Sequence, residues 1–272
     1  MSDWFHNLPV AWMAVVVFGL TYLIAAAIYA VVTALAVGEQ ARSFKIVSPG
    51  MLPPLGIIFG LFVAFTAAQV WNDNDRANTA VNREASALRA VVILAVNFPG
   101  ESEAHLRDLI GRYIEEVATR EWPMMGRHKA TLTPIQHLLV EALQSTLALT
   151  PNSEGQRIAQ RDIATAIENI FDARRQRIII SQSYVNLVKW ACILVMAVCA
   201  LLAIAMVHSD NRLASTITMG MFATGVAASV LLIAAHDGPF TGDILVGPDP
   251  LLQVMPEPKA SQQTMDQTIK FR

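Results

Sequence analysis

Charge is scarce in this sequence: 15% of its 272 residues are Asp, Glu, Lys or Arg and 54% are apolar, against roughly 25% charged in an average soluble domain. The shortage is concentrated in four windows, 4–38, 46–72, 190–209 and 213–236, which contain none of these four residue types. Each window reaches the ~20 residues that carry an α-helix across a ~30 Å hydrocarbon core. An ordinary soluble globule is excluded, and a polytopic membrane protein with four spans is expected. A basic excess is missing too. Twenty Lys+Arg stand against 22 Asp+Glu, for a net charge of -2, so no cationic field is available to a phosphate backbone and nucleic acid is not an expected partner.

Catalytic signatures are also lacking. The chain has no GxSxG, HExxH, Walker A, GxGxxG or CxxC, each of which would place a nucleophile, a metal or a phosphate. Its six histidines, His6, His105, His128, His137, His208 and His236, have no histidine partner at i+3 or i+4. Neither a metal nor a cofactor is expected. The spans hold no Asp, Glu, Lys or Arg, so no intramembrane carboxylate or amine is available for a proton relay, and an enzyme is not expected. Only two cysteines occur, Cys192 and Cys199. Seven residues on one helix separate them by ~10 Å, beyond disulfide reach, and they read as small apolar packing residues. No Lys or Arg precedes Glu39; the positive n-region of a secretory leader is missing, and the first window reads as a retained span.

The remaining sequence divides the chain into spans 1 and 2 (1–72), a helical domain (73–188), spans 3 and 4 (189–236) and a tail (237–272). Residues 73–189 carry 14 Lys+Arg and 14 Asp+Glu, a soluble charge density. Their apolar residues recur every three to four positions, at Ala77, Val81, Ala85, Leu88, Val92 and Ala95, so the second span is expected to continue out of the bilayer as one helix. Pro99-Gly100 stops it. Ser102 is expected to cap the next helix, with Pro123 beyond that helix's end and Glu121-Trp122 as a helix end packed on the next helix. Thr133-Pro134-Ile135-Gln136 reads as a capping box opening a third helix to about Leu149. Ser153 and Gln156 repeat that spacing before a fourth helix with no breaker ahead of the third span. Five prolines, Pro239, Pro248, Pro250, Pro256 and Pro258, give the tail an extended reading. Seven Lys/Arg near span ends on the domain side, against Arg42, Lys45 and Arg212 on the other, place the domain and both termini on the cytoplasmic side; the resemblance described below implies a bacterial inner membrane.

The second span carries two stripes. Gly56, Gly60, Ala64 and Ala68 recur every fourth residue and allow helix backbones to approach closely in lipid. Beside them run Pro53, Ile57, Leu61 and Phe65, which have no hydrogen-bonding side chain. They face lipid or a neighbouring helix, or, where several copies meet on an axis, an apolar constriction that passes ions only when wetted. Near the third span, Arg174, Arg175 and Arg177 form a basic cluster. Such a cluster is drawn to an anionic membrane surface by about 1 kcal/mol per charge, or pairs with Asp172 and Glu168.

The run Pro53-Pro54-Leu55-Gly56-Ile57-Ile58-Phe59-Gly60-Leu61-Phe62-Val63, followed by Trp71-Asn72, resembles the pore-helix segment of bestrophin anion channels. Further elements look like the bacterial bestrophin-like membrane family: Glu84-Ala85, Tyr113 upstream of Glu121-Trp122-Pro123, Asp172-Ala173-Arg174-Arg175-Gln176-Arg177, and Asp237-Gly238-Pro239-Phe240-Thr241-Gly242. The resemblance implies an all-α protomer with four spans, a cytoplasmic helical domain inserted between the second and third, and a homo-pentamer around the second span. It also implies a pore for small inorganic ions, with Pro53, Ile57 and Leu61 at the neck. Two elements of the family pattern are missing. Gln69-Val70-Trp71 stands in place of a basic residue and tandem tryptophans, and only Asp237, Asp243 and Asp249 stand where a dense acidic calcium clasp is expected, so calcium control is not carried over. The competing reading is a non-conducting scaffold or signalling protein whose helical domain binds a partner.

Overall fold

The computed structural model describes residues 8–36, 49–127, 129–133, 135–183, 185–242 and 244–256. His6, Arg42, Lys45, His128, Pro134, Asp243, Pro258 and the rest of the tail lie outside them. Among the described residues the structure is all-helical, and the chain divides into two compact units. The first is Met1–Asn74 with Ser183–Leu245; the second is Asp75–Gln182 with Val246–Arg272.

Four helices are long and apolar enough to cross a membrane: α1 (Val10–Leu35), α2 (Leu52–Ala95), α7 (Leu187–Val207) and α8 (Arg212–His236). Their most apolar stretches have mean hydropathies of 2.4, 1.7, 2.8 and 2.0. In α1 and α2 only 17% of that stretch is buried inside the chain, so most of its apolar surface is left for lipid or another subunit. Within the first unit, Ala25 and Val32 of α1 pack with Leu201 and Ala205 of α7 and with Met219 and Ala223 of α8. Phe59 and Val70 of α2 pack with Ile193, Ala197 and Val226. Thr21, Thr66, Thr224 and Ser229 each donate their hydroxyl to the carbonyl four residues back, at 2.7 to 2.8 Å. Polar side chains therefore stay satisfied where no water competes.

Helix ends follow local chemistry, and several differ from the sequence reading. Between Ser181 and Leu187 the fourth domain helix and the third span are separate helices, although no breaker was expected there. Asn186 caps α7 by accepting from the Val188 N–H at 3.1 Å. The buried Asp237 carboxylate accepts from the Val185 N–H at 2.9 Å, so the break sits where two side chains take over backbone donors. Gly238, with φ 99°, is required in the loop after α8: a Cβ there would lie 2.5 Å from Thr241 Oγ1, and the positive φ disfavours any other residue.

The second unit holds the rest of α2, then α3 (Glu101–Glu116), a π-helical turn (Val117–Glu121), α4 (Trp122–Gly126), α5 (Gln136–Leu147), α6 (Glu154–Ser181) and α9 (Asp249–Leu252). As expected, α2 runs 44 residues without a break. The N-cap of α3 is Gly100 at φ 101° and not Ser102, and no side chain caps it. Pro123 lies beyond the end of α3, as expected, and sits in the first turn of α4. There its missing N–H is tolerated, and the wide π-turn before it absorbs the change in hydrogen-bond register. Helix α5 starts at Gln136 without the Thr133 cap, whereas Ser153 caps α6 as expected, accepting from the Gln156 N–H at 3.2 Å. The last described segment lies on this unit, with Leu251 fully buried and Pro256 Cδ 3.9 Å from a Cβ built on Gly111.

Candidate functional site

Helix α2 turns one face toward its own unit and another away from it. Phe59 and Val70 are buried, Val63 is half-buried, and the Phe59 ring lies 5.6 Å from that of Phe222 on α8. At ~100° per residue, Ile57 and Leu61 each stand ~160° from Phe59 and so point away from this packing. They are 63% and 50% exposed, and Phe65 on the same side is 72% exposed; Pro53 is also exposed. The small stripe follows the same rule. Gly56, Gly60, Ala64 and Ala68 are exposed, and a Cβ at Gly56 or Gly60 would meet nothing within 4 Å. The close helix contact expected of that stripe is made by none of this chain's described helices.

In the second unit, four charged side chains meet in the interior. Arg177, with no exposed surface, reaches Glu84 through Nε (2.8 Å) and Nη2 (3.0 Å) and Glu121 through Nη2 (2.8 Å). Its Cζ lies 4.6 Å from the centroid of the Trp122 ring. Arg174, 2% exposed, donates Nε and Nη2 to Glu121 and Nη1 to the Leu132 carbonyl at 3.0 Å. Tyr113 donates its hydroxyl to Glu84 Oε1 at 2.6 Å, and Trp122 donates Nε1–H to the Val246 carbonyl at 3.0 Å. Two guanidinium groups face two carboxylates, so the cluster is neutral and its hydrogen-bonding capacity is used internally, which is what buried charge requires. Burial first, and then the neighbouring Glu84 carboxylate, push the Tyr113 hydroxyl above its ordinary range. Burial alone would lower the Arg177 guanidinium, but Glu84 and Glu121 hold it above its ordinary value.

This overturns the membrane-surface reading for two of the three arginines. Arg174 and Arg177 project inward and pair with Glu121 and Glu84, not with Asp172 and Glu168; Arg175 alone is exposed. The sequence reading missed the carboxylate partners. The signal was present: Glu84 sits in register with Ala77, Val81, Leu88 and Val91, all buried, and an acid on an otherwise apolar helix face calls for a buried cation. Glu121 is brought inward at the end of the π-turn, which no periodicity reveals.

Glu84, Tyr113, Glu121, Trp122, Arg174 and Arg177 come from the segments that carry the resemblance noted above. The family model for the bestrophin-like domain matches residues 19–251. No curated protein matches. Among solved structures, one variant of a bacterial bestrophin homologue from Klebsiella pneumoniae superposes with a TM-score of 0.68 at 10% identity, covering 89% of this chain and 97% of that one. A second variant does so with a TM-score of 0.68 at 12% identity, covering 90% and 99%. At such identity the likeness establishes the fold, and the family match over most of the chain establishes membership: this chain is a member of the bestrophin-like family.

Proposed function

We propose that the protein is the protomer of an oligomeric ion channel, conducting anions, whose second span lines the pore with Pro53, Ile57 and Leu61 at an apolar neck. The observation that carries this reading is the division of α2 into a packed face at Phe59 and Val70 and an exposed, wholly apolar face at Ile57 and Leu61. The two flanks between those faces differ in size. Gly56 and Gly60 leave open space on one, while Ile58 and Phe62 stand 43% and 41% exposed on the other. A small flank against the large flank of the next copy makes a head-to-tail contact, the type that closes rings. Kinship with bestrophins supports a pentamer. The Lys/Arg bias supports a cytoplasmic domain, and kinship with bacterial bestrophin homologues supports an inner-membrane location; a cysteine introduced as Ser102→Cys should resist impermeant thiol reagents in intact cells, and its labelling would reverse the orientation.

A ring of such side chains keeps the neck dry, because an ion entering it sheds water and finds no replacement ligand. Ile57→Ala/Leu61→Ala widens the ring and is expected to raise ion flux in proteoliposomes. Leu23→Ala/Val31→Ala, at exposed positions of α1, leaves flux unchanged. Absence of flux from every variant, at all salt gradients and voltages, favours the non-conducting scaffold.

A further inference from the structure

Three spans of the first unit enclose a cleft that the chain itself does not fill. At one end of the spans α1 meets α7 directly, through Ala25 and Val32 against Leu201, Ile204 and Ala205. Toward the other end the buried residues of α1, Met13 and Val17, pack on Ala227 and Ala234 of α8, and no buried residue of α7 joins them. The space left between α1 and α7 measures about 560 Å³. Its floor is buried at Val17, Ile193, Ala197, Val226 and Ala234, while its rims at Leu20, Leu187 and Leu194 are more than half exposed. Along α7 it runs from Leu187 to Leu201, a rise of ~21 Å at ~1.5 Å per residue. The cleft thus reaches past the middle of a ~30 Å hydrocarbon core and closes at the buried Leu201.

The lining limits what can occupy this space. Two lining side chains can hydrogen-bond, Thr21 and Trp190. The Thr21 hydroxyl already donates to the Val17 carbonyl at 2.7 Å, so water, which needs roughly two to four polar partners, finds too few. An empty space of this size is equally unfavourable, because its lining atoms lose dispersion contacts that nothing replaces. Trp190 is half-buried in the first turn of α7, next to the exposed Lys189, and tryptophan and lysine at a span end mark the headgroup level. The Trp190 indole N–H has no hydrogen-bond partner among the described residues. The Lys189 ammonium donates to the Gln69 amide, which carries no charge to neutralise it. A donor and a cation therefore stand where the ester carbonyls and phosphate of a lipid lie, and the cleft below them offers only hydrocarbon. A second copy is the weaker candidate, since the contacts proposed between copies are on α2 and no α2 residue lines the cleft. We propose that the cleft is a lipid site that holds one acyl chain of a membrane phospholipid, with the headgroup at Trp190 and Lys189. The chain fills the gap between α1 and α7 as packed side chains do around Ala25 and Leu201, and the bound lipid stabilises the first unit through contact and not through exclusion of water.

The test uses the full-length protein, purified in mild detergent and stripped of lipid. Added phosphatidylglycerol should raise its thermal midpoint, and one phospholipid per protomer should survive gel filtration, counted by mass spectrometry. Ala191→Phe/Val198→Phe places two rings in the cleft and should abolish both effects. Val195→Phe, at an exposed position of α7 outside the cleft, should abolish neither. In wild-type protein reconstituted with phosphatidylglycerol bearing a diazirine on its acyl chain, photo-crosslinks should concentrate on Leu20, Trp190 and Leu194 over the exposed Val195 and Leu213, a readout that needs no variant to fold. No retained lipid in the wild type, equal retention in the filled variant, or crosslinks spread evenly over the exposed faces each overturn the lipid site. Smaller particles from the filled variant, with no lipid retained by any protein, overturn it in favour of a second copy seated in the cleft.

Discussion

Substituting Glu121→Gln tests the buried network where it is most connected. The carboxylate accepts from Arg174 Nε and Nη2 and from Arg177 Nη2, with both guanidiniums at most 2% exposed. An amide of the same shape keeps one acceptor oxygen but removes the charge, leaving two buried cations facing the single carboxylate of Glu84. Breaking a buried pair by deleting one partner costs about 3–5 kcal/mol. At roughly 2–8 °C per kcal/mol for domains of up to a few hundred residues, the second unit should melt about 10 °C or more lower. The cost is that of an uncompensated charge, not of a lost contact, so adding Arg174→Met should restore much of the stability: one cation then faces one carboxylate again, and the methionine stem can fill the vacated space. The assay is thermal unfolding in detergent, followed by tryptophan fluorescence and by particle size, on both single variants and the double variant. A midpoint for Glu121→Gln within about a degree of wild type, or a double variant no better than the sum of its parts, refutes the reasoning.

The Gly60→Leu variant adds a branched side chain where this chain leaves open space, so the isolated protomer accommodates it while a close helix contact from another copy does not; loss of the oligomer in mild detergent is expected, and unchanged particle size would show that the stripe faces lipid. Stability should also depend on alkaline pH through Tyr113. Its hydroxyl is held above its ordinary range in the folded chain, so above about pH 10 the unfolded state releases a proton that the folded state retains, and stability falls with rising pH, while below that pH the group contributes no slope. Tyr113→Phe removes that term and flattens the alkaline limb of the melting curve; parallel decline of both proteins above pH 10 would count against it.

How much could be read from the sequence depended on whether the relevant physics repeats along the chain. Membrane spans repeat it at every residue, since the absence of charge over twenty positions is required by the bilayer itself, and the four windows return as α1, α2, α7 and α8. The 44-residue continuity of α2 was legible for the same reason, its apolar period continuing past Asn72 without proline or glycine. The helix boundaries rest on single residues, and there the reading split. Ser153 caps α6, but Gly100, with a backbone that other residues disfavour, takes the start of α3 from Ser102, and Asp237, distant in sequence, helps to separate α6 from α7.

The buried charges were the least legible feature, because the same residue types serve opposite ends. Arg174, Arg175 and Arg177 look alike in sequence, yet at ~100° per residue Arg174 and Arg177 share a face about 60° wide and Arg175 stands off it. Only that shared face meets Glu84 and Glu121. Helical phase separates inward from outward arginines once the apolar face of α6 is fixed by Ile163, Ile167 and Ile170, all fully buried. Continuing that face by four and seven residues from Ile170 lands on Arg174 and Arg177, whereas Asp172 and Gln176 fall on the far side, in a groove with Arg83. One helix thus supplies two differently treated sets of polar groups. The buried set is neutralised within the chain, where an unpaired charge would destabilise it strongly. The exposed set stays in water, where an unpaired charge costs little.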